Sequence, residues 1–247
     1  MQFGFGTGVM FAVRNDIANQ TPVRFGAMQE VTVDFAGDTK MLYSQSQYPI
    51  DVARGKVKID CKAKVAQISA ALFNTIFWGG TIAAGQTLIA YAESHTVPGT
   101  TPFTVVATNA STFLDDLGAV YHNQNNGSNV GPLTFGTGAP GTGGYAESGG
   151  TYTFSTGDKS VVIDLNYSYT VTTGMTVTQG NPFMGTTPYF VTEFSDTFEG
   201  GNTTLKLFRC VGSRLSMPTR LDDFYISDFD FNAFADASNN TFLFTST

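Results

Sequence analysis

The sequence predicts an all-β fold with one flanking helix. Three observations predict it. Thr, Val and Phe recur along the whole length with Gly spread among them, a composition that favours strands and turns over helices. Segment after segment alternates apolar and polar side chains with period two, the spacing of a half-buried strand. Only one stretch, AQISAALFNTIFWGG at 66–80, carries helical spacing free of Pro, and of Gly until its last two residues.

VMFAVR (9–14) and MQEVTVDF (28–35) read as strands, followed by a turn at AGDTK (36–40). Residues 41–50 read as a polar, aromatic-bearing connection that includes Pro49. GKVKIDCKAKV (55–65) sets Lys56, Lys58, Lys62 and Lys64 on one strand face, with Asp60 among them. Val57, Ile59, Cys61, Ala63 and Val65 take the other face. In the helix, Ala66, Ala70, Phe73 and Phe77 form one stripe and Ile68, Leu72 and Ile76 the next, so it should be mostly buried. Gly79 and Gly80 read as its stop, and about 12 residues of helix would run roughly 18 Å.

Residues 86–97 and 103–107 are further strands, and FLDDLGAVY (113–121) is a turn into a short one. From 122 to 150 the composition shifts to Gly, Asn and Thr, which reads as a long surface excursion with little core of its own. SVVIDLNYSYTV (160–171) alternates most clearly. Val161, Ile163, Leu165, Tyr167, Tyr169 and Val171 share one face, and Ser160, Val162, Asp164, Asn166, Ser168 and Thr170 the other. At about 3.3 Å per residue it spans roughly 40 Å, about twice an ordinary strand. PYFVTEFSDTF (188–198) puts Phe190, Phe194 and Phe198 opposite Val191, Glu193, Ser195 and Thr197. Strands at 203–215, 223–235 and 241–245 follow. Long strands with a polar, weakly acidic face suit a wall better than a compact sandwich, and their edges need partners.

At 247 residues the chain has room for one large or two small domains. No internal repeat and no second core is legible, so 1–247 reads as a single domain with the 122–150 excursion. Formal net charge is −7, and only 13% of residues are charged, about half the usual share. Two readings stay open: a surface covered by other subunits, or one rich in Thr, Ser, Asn and Gly. The N-terminal stretch lacks the features of a signal peptide, and no apolar run approaches the ~20 residues that span a bilayer. Synthesis and assembly in the cytosol, without membrane insertion, are expected. In that reducing setting Cys61 and Cys210 read as two buried thiols.

Residues that carry chemistry are missing. His95 and His122 are not spaced as metal ligands, and no nucleophile elbow, phosphate loop or dinucleotide fingerprint occurs. FGFGTG (3–8) links no strand to a helix and reads as a flexible arm. Asp115 with Asp116, and Asp222 with Asp223, read as turn or loop-end residues, because neighbours on a strand point opposite ways. Asp228 and Asp230 share a face, which fits solvation or a basic neighbour better than a cation. The expectation is no enzyme, no cofactor and no metal. The lysine ladder has no interleaved aromatic platform, and the overall charge has the wrong sign for a phosphate binder.

Taken in order, the stretches at 24–80, 116–121, 152–170, 183–198 and 205–236 resemble the tail tube (major tail) proteins of tailed bacteriophages. The likeness rests on the order of long strands around one helix, with MG (184–185) before a strand and DDF (222–224) before an aromatic strand. The segment 122–150 departs from it. The resemblance implies a β-sandwich with a flanking helix. It implies hexameric rings whose long strands join into a β-barrel lumen, stacked as a helical assembly in the virion tail. The tube would conduct the genome into the host cell, with DNA in transit unbound. Partners would be the chain itself and other tail proteins: a terminator, a baseplate or tip, and a sheath if the tail is contractile.

A DNA conduit should not have a basic lining, since DNA carries about one negative charge per 1.7 Å of axis. The candidate lumen-lining residues are therefore Asp164, Asn166, Ser168, Thr170, Glu193, Ser195, Thr197 and Glu199. Lys56, Lys58, Lys62 and Lys64 are placed against a neighbouring subunit, with Asp228, Asp230 and Glu193 as candidate partners. A solvated edge on which lysines discourage wrong pairing is the other reading of the ladder. The rival to the tube is a carbohydrate-binding or adhesive β-sandwich, a fibre or capsid-decorating protein, with Tyr145 and Tyr152 as its aromatic platform.

Overall fold

The computed structural model describes residues 6–67, 69–122, 131–219 and 221–247. They form an all-β chain with one short α-helix. Where a single domain was expected, the described residues cluster into two compact units, Met1–Ile82 with Val177–Thr247, and Ala83–Thr176. Each has its own buried core.

The first unit is an antiparallel sheet of eight strands. They are β1 (Val9–Arg14), β2 (Val23–Arg24), β3 (Met28–Tyr43), β4 (Pro49–Val65), β12 (Phe190–Phe198), β13 (Gly201–Ser216), β14 (Ser227–Ala233) and β15 (Phe242–Ser246). The order is β2-β1-β12-β13-β14-β4-β3, and β15 pairs with β13 along Thr203–Leu207. Period-two patterning builds its core. Ile59, Cys61, Ala63 and Val65 of β4 are buried and the lysines between them exposed. On β14, Phe229 and Phe231 stack inward, centroids 5.3 Å apart, while Asp228, Asp230 and Asn232 take the opposite face. Cys61 and Cys210 are free, buried thiols. Burial pushes Cys61 up to about 12 and Cys210 in the same direction.

Two local expectations are corrected. AGDTK is not a turn: β3 runs on through it, absorbing the irregularity as a register shift between Gly37 and Thr39. The reversal lies further on, between Tyr43 and Pro49. The helix is also shorter than 66–80. The Ala66 N–H still bonds the Ala27 carbonyl at 2.9 Å, in continuation of the β3–β4 ladder. Helix α1 (Ala70–Phe73) starts only after Ser69, whose hydroxyl accepts the Leu72 N–H. A π-turn over Asn74–Trp78 then ends at Gly79, with φ +69. Leu72, Phe73 and Ile76 are fully buried and Phe77 partly so; Ile68 lies outside the described residues. Gly212 of β13 lets the helix sit down, because a Cβ there would stand 2.6 Å from the Ile76 carbonyl.

In the second unit β5 (Thr81–Thr96), β11 (Val162–Thr178) and β7 (Phe113–Tyr121) form one sheet, in the order β5-β11-β7. The other sheet is β6 (Thr104–Val106), β10 (Thr151–Phe154), β9 (Gly144–Ser148) and β8 (Thr134–Phe135), in that order. The chain enters the unit within β5 and leaves it within β11, a 17-residue strand roughly 55 Å long at the usual rise. Its core draws on 122–150, which was expected to be a surface excursion with little core of its own. Leu133 and Tyr145 are buried in it beside Tyr152, Phe154, Ile163, Leu165 and Tyr167; residues 123–130 lie outside the described residues. Tyr145 and Tyr152 are 2% and 0% exposed and therefore form no binding platform.

Carboxylates hold the tyrosine hydroxyls of this core. Asp116 accepts from Tyr145 at 2.6 Å and Tyr152 at 2.9 Å, and Asp158, fully buried, accepts from Tyr121 at 2.8 Å. Glu93 accepts from Tyr167 at 2.6 Å, from the N–H and hydroxyl of Thr108 and from His95. Burial alone would raise the Glu93 pKa, but these donors outweigh it and hold the group at about 2, against an ordinary 4.5. A depressed folded-state pKa stabilises above the unfolded value and ceases to do so as pH falls through the folded one. Glu93 therefore contributes about 2–3 kcal/mol near neutral pH, lost between roughly pH 4.5 and 2. Urea titrations of the wild type and Glu93→Gln across that window should converge as pH falls; parallel curves would show that the four donors do not favour the ionised form.

Candidate assembly surface

The lysine ladder meets carboxylates of its own chain. In the ladders flanking β4, Lys62 lies opposite Asp230 and Lys64 opposite Asp228, with Glu30 of β3 across from Lys64 on the other side. Lys64 Nζ is 2.5 Å from Glu30 Oε2, and that hydrogen bond holds its pKa above the ordinary range. Lys58 Nζ is 2.8 Å from Asp60 Oδ2, a contact that raises the amine and lowers the acid. Arg214 of β13 reaches Asp230 at 4.0 Å. Lys62, Lys64 and Arg214 face Glu30, Asp228 and Asp230 around one shallow cleft, so three positive and three negative groups leave it neutral. Asp228 and Asp230 are thus partners of the ladder within the chain. Glu193, the third candidate, lies opposite and bonds Lys206 of β13 instead. This charge pattern gives Lys62 and Lys64 carboxylate neighbours within their own chain.

A different surface of the first unit stands uncovered among the described residues. β3 and β4 continue past the last β14 pairing, Ala233 with Ile59, as a two-stranded ribbon. Every residue from Asp34 to Lys58 is exposed except Pro49, which is half-buried. Met41, Leu42, Tyr43, Tyr48, Ile50 and Val52 are each more than half exposed. At about 3.3 Å per residue the ribbon projects roughly 30 Å. Sequence reasoning missed it because 41–50 looked like a connection. The available signal was three consecutive apolar residues, Met41–Tyr43, which a strand must place on both faces. Lys56 and Lys58 sit at the ribbon's base. Elsewhere in the unit, Phe183, Met184, Leu221 and Phe224 stand almost fully exposed on two loops.

The candidate lining residues fall on two sheets in two units. On β11, Asp164 is buried and its carboxylate oxygens lie 2.8 and 3.0 Å from His122 Nδ1. Asn166 accepts the Ala92 N–H and donates to the Gly118 carbonyl, tying the central strand to both neighbours. Ser168 is buried and accepts the Asp115 N–H. These three side chains are committed to holding their own sheet; Thr170 is exposed. In the first unit, Glu193, Thr197 and Glu199 are exposed and Ser195 half-buried. Ser195 lies 3.3 Å from the Thr204 hydroxyl, and Thr197 donates to Asn202.

Ser94, His122 and Asp164 gather in the second unit, but Ser94 Oγ (3.5 Å) and Asp164 approach the same ring nitrogen, Nδ1. Nucleophilic catalysis needs serine and carboxylate on opposite nitrogens of the imidazole, so this trio fastens β5, β7 and β11 rather than activating a hydroxyl. Among the described residues no three His, Cys, Asp or Glu side chains converge as metal ligands, and no helix is long and apolar enough to cross a membrane. No protein-family model and no curated protein sequence matches the chain.

Proposed function

We propose that the chain is a structural subunit of a phage tail, assembling with copies of itself into six-fold rings that stack into a tube for the genome. The observation that carries the reading is the ribbon, whose large apolar side chains are exposed on both faces. A two-stranded hairpin is marginal in water by itself. A long apolar edge left uncovered is an aggregation site. Neighbouring copies in a ring or stack cover it, and the low charge content suits a surface that is largely buried in an assembly. The tail-tube resemblance of the sequence supplies the kind of assembly. Tail partners at the ends of the tube and DNA in transit belong to the same reading. Of the candidate lining residues, Thr170, Glu193, Thr197 and Glu199 present exposed, short or anionic side chains suited to a bore that does not grip DNA.

Electron microscopy of the purified protein tests this. The wild type should give rings or tubes with a regular axial repeat at high concentration. Leu42→Asp/Ile50→Asp, which alters only the ribbon, should stay monomeric in light scattering with an unchanged melting temperature. A wild type that remains a monodisperse globule at every concentration and salt, even with tail partners added, favours the adhesive reading and sinks the tube.

A further inference from the structure

The eight-stranded unit carries an apolar groove of about 440 Å³, lined by Val31, Val33 and Phe35 of β3, Phe194 of β12, and Phe242 and Phe244 of β15. Val31, Val33 and Phe194 pack against the buried core, so the groove is an opening into that core. Among the residues that line it only Thr203 is polar. Phe35, Phe242 and Phe244 are 46%, 47% and 56% exposed, with Phe35 and Phe242 edge to face at 5.1 Å.

The groove and the ribbon share one face of β3. From Val31 to Gly37 the strand pairs with β4 residue for residue, and the next pair, Thr39 with Arg54, sets two residues of β3 against three of β4. The extra residue therefore falls on β4, and β3 keeps its alternation. Successive side chains of a strand point to opposite faces, so Met41 and Tyr43 continue the face of Val31, Val33 and Phe35. Val52 lies opposite Met41 and joins them, while Leu42 and Asp51, opposite each other, take the other face. Met41, Tyr43 and Val52 are each more than half exposed. One apolar stripe thus runs from the groove along the ribbon.

A chain cannot fill its own groove with its own ribbon. Phe35 and Tyr43 are eight residues apart on one strand, roughly 26 Å at the usual rise. A second copy has no such constraint. Residues 34–58, all exposed but Pro49, match the roughly 20–30 residues that each side of a standard interface contributes. We propose that the groove of each copy seats the ribbon of the next, with Met41, Tyr43 and Val52 packing against Phe35, Phe242 and Phe244. Donor and acceptor are different parts of each chain, so the contact is head to tail and propagates until the rotation closes a ring. The inference rests on the self-assembly reading above and adds the seat to it.

Two measurements on the full chain test it. In the first, Phe35→Cys/Tyr43→Cys is treated with a short bismaleimide at a concentration where the wild type assembles; Cys61 and Cys210 are buried and do not compete. The two sites of one chain are too far apart to be bridged, so a 35–43 link found by peptide mapping joins two chains. A denaturing gel should show a ladder that continues past two chains. A ladder that stops at two means a reciprocal pair and overturns the head-to-tail seat. In the second, Met41→Asp/Tyr43→Asp and Phe242→Asp/Phe244→Asp are studied singly and mixed, with far-UV circular dichroism as the control for folding. Each alone should scatter light as a single chain. An equimolar mixture should double that mass, because one variant keeps an intact groove and the other an intact ribbon. The continuing ladder supports the proposal even if the phenylalanine variant fails to fold. If the wild type assembles but no 35–43 link forms and the mixture stays at single-chain mass, this proposal falls while the tube reading stands. A wild type that never assembles sinks the tube reading and this proposal with it.

Discussion

Phe73→Ala is expected to cost about 3–5 kcal/mol, the range for deleting a large buried aromatic whose surroundings collapse only partly. Phe73 is 2% exposed, lies in the core with Leu72 and Ile76, and meets Trp78 edge to face at 5.9 Å. The short helix cannot offset the loss by propensity, because one α-turn followed by a π-turn adds little of its own. Trp78 is the only tryptophan, so its fluorescence follows this unit alone. The urea midpoint by tryptophan emission should fall sharply in Phe73→Ala, while tyrosine signals from the other unit move less. An unchanged midpoint would mean that the helix does not rest on the sheet through this ring.

Asp116→Ala should be the most damaging single change in the second unit, at about 2–5 kcal/mol. It strips the acceptor from the Tyr145 and Tyr152 hydroxyls, and a buried donor left unpaired costs about 1–3 kcal/mol. It also removes the acceptor of the Gly118 N–H, 3.0 Å away. Burial first, and then the Asp116 contact, pushes both phenols above their ordinary pKa, so the neutral hydroxyl donates across the usual pH range. Asp116→Asn keeps one acceptor oxygen and should lose clearly less. Tyr152→Phe, which removes a donor instead of orphaning it, should cost about 1 kcal/mol. Near-UV circular dichroism in urea reads all three; an Asp116→Ala midpoint no lower than that of Tyr152→Phe would remove the carboxylate from the core's support.

Alternation made part of this molecule legible in advance. The buried faces of β4, β11 and β14 and the exposed lysines follow from period two, because a strand sends successive side chains to opposite sides. Cys61 and Cys210 as buried thiols followed from the same patterning. Asp115 and Asp116 were misread for an equally local reason. Adjacent carboxylates resemble turn chemistry, and only the approach of β9 and β10 reveals that Asp116 receives two tyrosines. The Gly-rich look of 122–150 similarly hid Leu133 and Tyr145, single residues whose burial depends on the sheets around them. The exposed apolar ribbon was not legible, because 36–40 reads as a turn and 41–50 as a connection when β3 and β4 are taken one at a time.

By itself the sequence determined the strand class, the buried faces of β4, β12 and β14, the Gly79 stop of the single helix, and a low charge content. These depend on residues within a few positions of one another, where φ/ψ preference and side-chain period act directly. Only the tertiary structure decided that Lys62 and Lys64 face Asp230, Asp228 and Glu30 of their own chain, that β3 and β4 run beyond their neighbours as a bare ribbon, and that two units carry separate cores. Those outcomes rest on register and strand order between segments far apart in the chain. A one-residue slip would turn every lysine of β4 toward the core. The register is held by the burial of Phe229 and Phe231 against Cys61 and Ala63, contacts that no local window of the sequence contains.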